Sequence, residues 1–198
     1  MTVAAISTHM TAEEFYEWGH LPENRDRIFE LVDGKVIEMS RPGERRDATC
    51  MNVGALLWNY TRQRKQGHVC SNDTGIILCL DSADRFGPDL ILNRAESTYR
   101  ELKVQYSEEL PLLAVEVLSP NDGWGKTTRR INHFLSLGIP RVWLLDPEEE
   151  TITIYQPGQL PKVLHNSDEL TDPEMLPDFR CNVNEFFDLP GEEKERPI

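Results

Sequence analysis

The sequence predicts one α/β (α+β) domain with a central mixed β-sheet flanked by helices. Two observations predict it. Helical and strand patterns follow one another along the chain without an internal repeat, and the run 112–118 is almost wholly apolar. Such a run is typical of a strand that is covered on both faces, which requires helices packed on the sheet. A chain of 198 residues is long enough to bury the core of one such domain.

The N-terminal half is predicted to contain a flexible arm (1–10), a short helix (11–18), a β-hairpin (27–32 and 35–39) and a long helix (47–66). Thr11 and Glu14 have the spacing of a capping box, which marks the start of the first helix. Asp33-Gly34 between two alternating runs is a strong hairpin signal. Asp47 can cap the long helix, and Gly67 follows its end.

The C-terminal half is predicted to contain strands at 68–71, 75–80, 88–93, 112–118, 141–145 and 151–155, a helix at 122–137, an excursion of strands and turns at 157–189 that ends in a short helix (184–188), and a polar tail (190–198). Asn121 or Asp122 can cap the helix, and Gly138 can stop it. The strand at 151–155 is expected to pair with 141–145 and to form a sheet edge. A single domain is therefore predicted to span 11–189.

Charge and composition exclude several classes of protein. The net charge of −13 argues against binding to nucleic acid by bulk charge alone. From Asp146 onward there are 14 acidic and 4 basic residues, so an anionic partner is expected to bind elsewhere. No apolar run approaches the length of a membrane span, and the first ten residues lack the pattern of an export signal. We therefore expect a cytoplasmic protein that does not bind membranes, with four reduced cysteines.

Two carboxylates stand within strand patterns. Asp89 begins the apolar run 88–92, and Glu116 lies in the middle of the buried run 112–118. A carboxylate in a buried strand carries a large desolvation cost unless it is paired or binds a cation. Pairing of Glu116 with an arginine and a turn role for Asp89 are the structural alternatives. Two such carboxylates on neighbouring strands would instead provide hard oxygen ligands for Mg²⁺ or Mn²⁺.

Several segments resemble the Uma family, described as putative restriction endonucleases, numerous in cyanobacteria and part of the PD-(D/E)xK nuclease superfamily. The segments are Pro-Asp at 88–89, Glu-Val-Leu-Ser-Pro at 116–120, Gly-Ile-Pro at 138–140 and Trp-Leu-Leu-Asp-Pro at 143–147, with further matches at 10–15 and 29–34. The resemblance covers about residues 10 to 190. It implies a restriction-endonuclease-like core with four strands in a mixed sheet. It also implies that Asp89 and Glu116 bind a divalent metal, and that Glu30 is a further acidic position near the site, although Glu30 could equally be a polar residue of the hairpin.

The chain departs from the superfamily motif at one position. The motif has a lysine two positions after the second acid, where both side chains share one face of the strand. Here that position is Leu118. Relatives with this change are expected to supply a lysine from the next helix, and the matching position is Arg130. Arg130 stays protonated and cannot act as a base, whereas Lys126, one turn earlier, could take the role; the choice between them stays open.

The resemblance implies a Mg²⁺- or Mn²⁺-dependent endonuclease that acts on DNA, with Asp89, Glu116, Lys126 and Arg130 as catalytic residues and Asp89, Glu116 and Glu30 as metal ligands. A catalytically disabled nuclease fold that serves as a binding or assembly module is the alternative, favoured by the missing strand lysine and the acidic charge. Asp122 is expected to cap its helix. We also expect a homodimer, because the sheet edge must be covered.

Overall fold

The computed structural model describes residues 5–6, 10–32, 34–39, 43–71, 87–94, 97–104, 107, 109–120 and 122–191. The chain folds into a six-stranded mixed sheet with helices packed on it, and a β-hairpin precedes the sheet. The predicted fold class is therefore confirmed. The predicted strand at 75–80 lies outside the described residues.

The N-terminal elements are β1 (Ala5–Ile6), α1 (Ala12–Gly19), β2 (Ile28–Val32), β3 (Lys35–Met39) and α2 (Glu44–Arg64). The predicted capping box is present, with Glu14 N donating to the Thr11 hydroxyl at 3.2 Å. The predicted hairpin is present too, and its turn includes Gly34 at a φ of +70°. Within the segment predicted to be an arm, β1 pairs with β3.

The remaining elements are β4 (His68–Ser71), β5 (Leu90–Asn93), β6 (Leu113–Val117), α3 (Trp124–Ser136), β7 (Val142–Asp146), β8 (Thr151–Tyr155), β9 (Lys162–His165), β10 (Glu169–Asp172) and β11 (Leu176–Asn182). Short 3₁₀ helices lie at Tyr99–Glu101 and Val183–Phe186. The strand order in the sheet is β4-β5-β6-β7-β8-β9, and among these described strands only the β6–β7 pair is parallel. The crossover between these parallel strands contains α3.

The sheet separates two hydrophobic clusters. Val53 and Leu57 of α2 pack on one face with Val115, Trp143 and Phe186. On the other face, Ile131 and Phe134 of α3 pack against Ile91, Ala114 and Leu144. The strand β6 is buried along its whole length, as its apolar run predicts. Across the part of the chain that the structure describes, no helix is long and apolar enough to cross a membrane.

Three details of the sequence prediction are wrong. Gly43, in extended conformation, caps α2, and Asp47 N already donates to Gly43 O at 3.1 Å. Asp47 is thus an acidic residue in the first turn, where its negative charge interacts favourably with the positive end of the helix dipole, as the charge of a capping acid does. The strand Thr151–Tyr155 is also not an edge, because β9 pairs with it through the register Ile152↔Leu164.

The third correction concerns the start of α3, which is capped by Gly123 and not by Asn121 or Asp122. The Asp122 carboxylate turns back and accepts a hydrogen bond from Ser119 N at 2.8 Å, and Asp122 N donates to Ser119 O at 2.9 Å. This closed turn takes the carboxylate away from the first turn of the helix. The loop between β6 and α3 is thereby braced by its own residues.

Candidate active site

The register of the central strands brings Asp89 and Glu116 together. Leu90 of β5 is opposite Val115 of β6, so Asp89 and Glu116 are the next antiparallel neighbours. Their side chains lie on the face of the sheet that α3 covers, because each is two positions along its strand from Ile91 or Ala114, which pack with α3 on that face. Both are buried, with 4% of Asp89 and 9% of Glu116 exposed. The pairing of these two acids, expected from the sequence, is thus what the sheet produces.

The Asp89 carboxylate is fixed at both oxygens. Its Oδ2 accepts a hydrogen bond from the backbone N–H of Val117 at 2.7 Å, and its Oδ1 forms an ion pair with Arg46 of α2. Arg46 also donates from Nε to the Val117 carbonyl at 3.0 Å. Charge-assisted bonds of this kind offset the cost of burying the carboxylate.

The Glu116 carboxylate contacts the guanidinium of Arg130, which lies on α3, the helix that follows β6. Arg130 Nε donates to Glu116 Oε1 at 2.9 Å, and Arg130 Nη1 donates to Glu30 Oε1 at 2.5 Å. Arg130 Nη2 donates to the Gly87 carbonyl at 2.6 Å, two residues before Asp89. One guanidinium therefore joins strand β2, strand β6 and the entry to β5. Glu116 is therefore paired with an arginine, which is the structural alternative that the sequence left open.

Burial dominates the electrostatics of this cluster. Burial raises the pKa of Glu116 to about 8; Arg130 opposes this rise, and the nearby carboxylates of Asp89 and Glu30 add to it. Burial lowers the pKa of Arg130, but the carboxylates of Glu116 and Glu30 outweigh burial, and the net direction is upward. Arg130 is therefore a permanent cation in the site, whereas Glu116 can exchange a proton near neutral pH.

Leu118 occupies the position where the superfamily motif has a lysine. Its side chain is on the same face as Glu116 and packs, half-buried, against the cluster that contains Ala114 and Ile131. The alternation argument about this position is therefore confirmed, and an apolar contact takes the place of a cation there.

The other predicted cations lie on α3. Lys126 is exposed one turn before Arg130 on the same helix face, and Arg129 is exposed with its Nη1 toward Gly125. Trp124 starts the helix and is exposed as well. The structure thus brings Asp89, Glu116, Glu30 and Arg130 together, and Lys126 lies at the exposed end of the same helix stripe.

The chemistry of the donors suits a hard divalent cation. Asp89, Glu116 and Glu30 offer only carboxylate oxygens, which Mg²⁺ and Mn²⁺ prefer. Three carboxylates face the two guanidinium groups of Arg46 and Arg130. The pKa of Glu116 is raised first by burial, and the carboxylates of Asp89 and Glu30 add to that rise. Among the described residues, however, no three His, Cys, Asp or Glu side chains have the spacing of one metal site. Arg130 donates hydrogen bonds to both Glu30 and Glu116. The fit is therefore to the pair Asp89 and Glu116.

Sequence reasoning missed Arg46. The predicted helix begins at Asp47, one residue after Arg46, so the prediction leaves Arg46 outside the helix. In the structure it belongs to the first turn of α2, where a cation opposes the helix dipole. An unfavourable cation in the first turn of a helix is the signal that could have identified it.

Comparison with known proteins now adds the family. A family model described as a putative restriction endonuclease matches residues 12–184. The chain belongs to the Uma2 family. In structure, this Uma2 chain is similar to a putative nuclease of the DUF820 group from Anabaena variabilis, with a TM-score of 0.72 and 22% identity over 90% of this chain and 97% of the other. The similarity shows that the two share a fold. No curated protein sequence matches the chain significantly.

The family resemblance inferred from the motifs is therefore confirmed over most of the chain. The family is described as putative restriction endonucleases, and the chain shares its fold with a putative nuclease. Asp89, Glu116 and Glu30 all lie inside the matched range 12–184, as do Arg46, Lys126 and Arg130. The cluster described above is thus part of the Uma2 domain itself.

Proposed function

We propose that this Uma2 protein is a metal-dependent endonuclease that hydrolyses DNA phosphodiester bonds, with Asp89 and Glu116 as ligands of Mg²⁺ or Mn²⁺. One observation carries the proposal: two carboxylates are buried side by side on neighbouring strands, although packing alone would favour apolar residues there. Buried, paired carboxylates with a perturbed pKa are characteristic of functional sites. Membership of a nuclease family supports the same reaction class.

A divalent ion bound by these carboxylates would polarise the scissile phosphate and lower the pKa of the attacking water. Arg46 holds the Asp89 carboxylate in place through its ion pair and through the Val117 carbonyl. Arg130 stays charged and neutralises negative charge that develops on the phosphate oxygens. Lys126, on the exposed end of the same helix face, donates to the phosphate or to the attacking water.

Glu30 has a supporting role in this proposal. Its carboxylate accepts a hydrogen bond from Arg130 Nη1, and it is 7% exposed. It therefore anchors the guanidinium while Glu116 is engaged with a cation. With Glu30 in place, Arg130 keeps a buried anionic partner both when Glu116 binds a cation and when it does not.

The test is cleavage of supercoiled plasmid with Mn²⁺ or Mg²⁺ by the wild type, Asp89→Asn and Glu116→Gln. We expect nicking by the wild type and a loss of about 100-fold or more in each variant, because each removes one ligand charge. The matched control is Glu149→Gln, an exposed carboxylate in the turn between β7 and β8, and it should cleave like the wild type. Equal cleavage by all four proteins would refute the assignment of the site.

A second function, a non-catalytic binding or assembly module, is favoured by the same two guanidinium groups. Arg46 and Arg130 already neutralise Asp89 and Glu116, and Leu118 leaves the motif without its strand lysine. Calorimetric titration with Mn²⁺ separates the two functions. Binding that Asp89→Asn abolishes supports the nuclease, and the absence of specific binding to the wild type supports the module.

A further inference from the structure

The outward face of α2 carries a line of five exposed residues at helical spacing. These residues, called here the α2 stripe, are Asp47, Met51, Ala55, Trp58 and Arg62. Intervals of four, four, three and four residues place all five side chains on one face of the helix. The opposite face contributes Val53 and Leu57 to the core. The stripe is therefore separate from the packing face of α2.

The centre of the α2 stripe is apolar and its ends are charged. Met51 is 71% exposed and Trp58 is 50% exposed, although both are large hydrophobic side chains. Arg62 lies over the Trp58 ring, with 5.7 Å between its guanidinium carbon and the ring centroid. An apolar centre with a charged rim is the composition of a protein interface and not of an ordinary solvated helix face.

The stripe is complementary to itself when reversed. Along the helix, Asp47 and Arg62 lie equally far from the point between Gly54 and Ala55, on opposite sides of it, and so do Met51 and Trp58. An antiparallel copy therefore sets Asp47 against Arg62 at both ends and Met51 against Trp58 in between. Ala55, beside that point, is small enough for the two helices to approach closely where they cross. A parallel copy would instead oppose Asp47 to Asp47 and Arg62 to Arg62.

We propose that two copies of this chain form a two-fold dimer through antiparallel pairing of their α2 stripes. Such an interface is isologous, as expected for most homodimers, since each contact occurs twice. The two Met51–Trp58 contacts supply the desolvated centre, and the two Asp47–Arg62 pairs fix the direction. The stripe contains none of the carboxylates of the cluster, and its Asp47 lies 3.9 Å from Nη1 of Arg46, the partner of Asp89. The proposed contacts between copies do not depend on metal binding or catalysis.

Analytical ultracentrifugation of the full chain, from micromolar to hundred-micromolar concentration, is the first test. We expect a concentration-dependent dimer for the wild type, and a dissociation constant about 30-fold or more weaker for Trp58→Asp. The control is Tyr99→Asp, which places the same charge on another highly exposed aromatic position and should leave the dimer unchanged. A wild type that stays monomeric throughout would overturn the proposal.

Charge reversal tests the antiparallel direction. Asp47→Arg and Arg62→Asp each convert two attractive pairs into two repulsive ones. The dimer of each variant alone should therefore have a dissociation constant about tenfold or more weaker than that of the wild type. When the two singly substituted proteins are mixed, both pairs become attractive again, and a mixed dimer should form. The doubly substituted chain should also regain the dimer. Circular dichroism of each variant shows whether α2 is intact.

The mixing experiment distinguishes this dimer from other arrangements. A dimer through the edge strand β9 would be insensitive to all of these substitutions. A dimer with parallel α2 helices would be about as strong in each single charge-reversal variant as in the wild type, since like charges would still face each other, and it would gain attractive pairs only in the mixture. Either result would overturn the proposal, as would a mixture of the folded single variants that remains monomeric.

Discussion

Arg130 Nε donates a hydrogen bond to Glu116 Oε1 at 2.9 Å. This bond joins the acidic residue of β6 to α3, the helix that follows the strand. Through its other nitrogens, the same guanidinium binds Glu30 and the Gly87 carbonyl. A permanent cation thus stands within the carboxylate cluster. Because arginine cannot lose its proton, its contribution is charge and geometry, not proton transfer.

The first prediction concerns the removal of this cation. Arg130→Ala leaves Glu116 and Glu30 buried without their shared partner, and should lower the free energy of unfolding by about 3 kcal/mol. Part of that loss should be recovered on addition of Mg²⁺ or Mn²⁺, because a divalent ion offsets the same charges. Urea unfolding in EDTA and in excess metal measures both effects.

The neighbouring Arg129→Ala is the matched control for this experiment. Arg129 is exposed on α3, so its loss should change the free energy of unfolding by about 0.5 kcal/mol or less in either condition. A stable Arg130→Ala protein, or one that metal does not stabilise more than Arg129→Ala, would contradict the prediction.

The second prediction concerns pH. The pKa of Glu116 in the folded protein is about 8, above its ordinary value of 4.5, so the folded state holds a proton that the unfolded state releases. In EDTA, the stability of the wild type should therefore fall as pH rises from about 4.5 to about 8, and level off above it. Glu116→Gln is neutral throughout and should lack this component.

Urea unfolding of both proteins at pH 5, 6, 7 and 8 gives the comparison. The free energy of unfolding of Glu116→Gln relative to the wild type should increase steadily across this range. Curves that run parallel from pH 5 to pH 8 would show that Glu116 is ionised throughout, and that Arg130 compensates it fully.

The third prediction restores the missing cation. Leu118 shares a face with Glu116, so the ammonium of Leu118→Lys would reach the side of the strand on which the superfamily motif has its lysine. We expect plasmid cleavage to rise about tenfold or more, with a small loss of stability from the apolar contact that is removed. Leu118→Met keeps the volume without the charge and should cleave like the wild type.

Much of this site follows from strand periodicity. The alternation of β6 places Glu116, Leu118 and Ala114 on one face, and the apolar runs indicate that Asp89 is on the neighbouring strand. The roles of Arg46 and Glu30 could not be predicted in this way. Arg46 meets Asp89 across 43 positions, and Glu30 meets Arg130 across 100, so those contacts depend on how the hairpin and α2 pack on the sheet.

The covering of β8 is a second case in which distant packing decided the outcome. The alternation in Thr151–Tyr155 predicts a half-buried strand, and that is correct. The alternation in β8 does not indicate which strand pairs with its other edge. That strand is β9, which has only one buried residue in four and therefore a weak strand pattern. The excursion of strands after β8 is held instead by β10–β11 pairing and by a buried ion pair.

That ion pair gives the last prediction. Arg141, at the start of β7, binds both carboxylate oxygens of Asp172 at 2.5 and 3.0 Å, and both side chains are buried. Removing one partner leaves the other charge buried, so Asp172→Leu or Arg141→Met should each lower the free energy of unfolding by about 3 to 5 kcal/mol. By contrast, Arg27→Ala breaks an exposed, solvent-screened pair with Glu38 and should leave the free energy of unfolding nearly unchanged.

The double substitution Arg141→Met and Asp172→Leu removes both buried charges together. It should therefore be considerably more stable than either single variant, since no uncompensated charge is left in the interior. Urea unfolding of the four proteins in a double-mutant cycle measures this coupling. Additive losses would show that Arg141 and Asp172 act independently, and that the contact between β7 and β10 contributes no specific free energy to the fold.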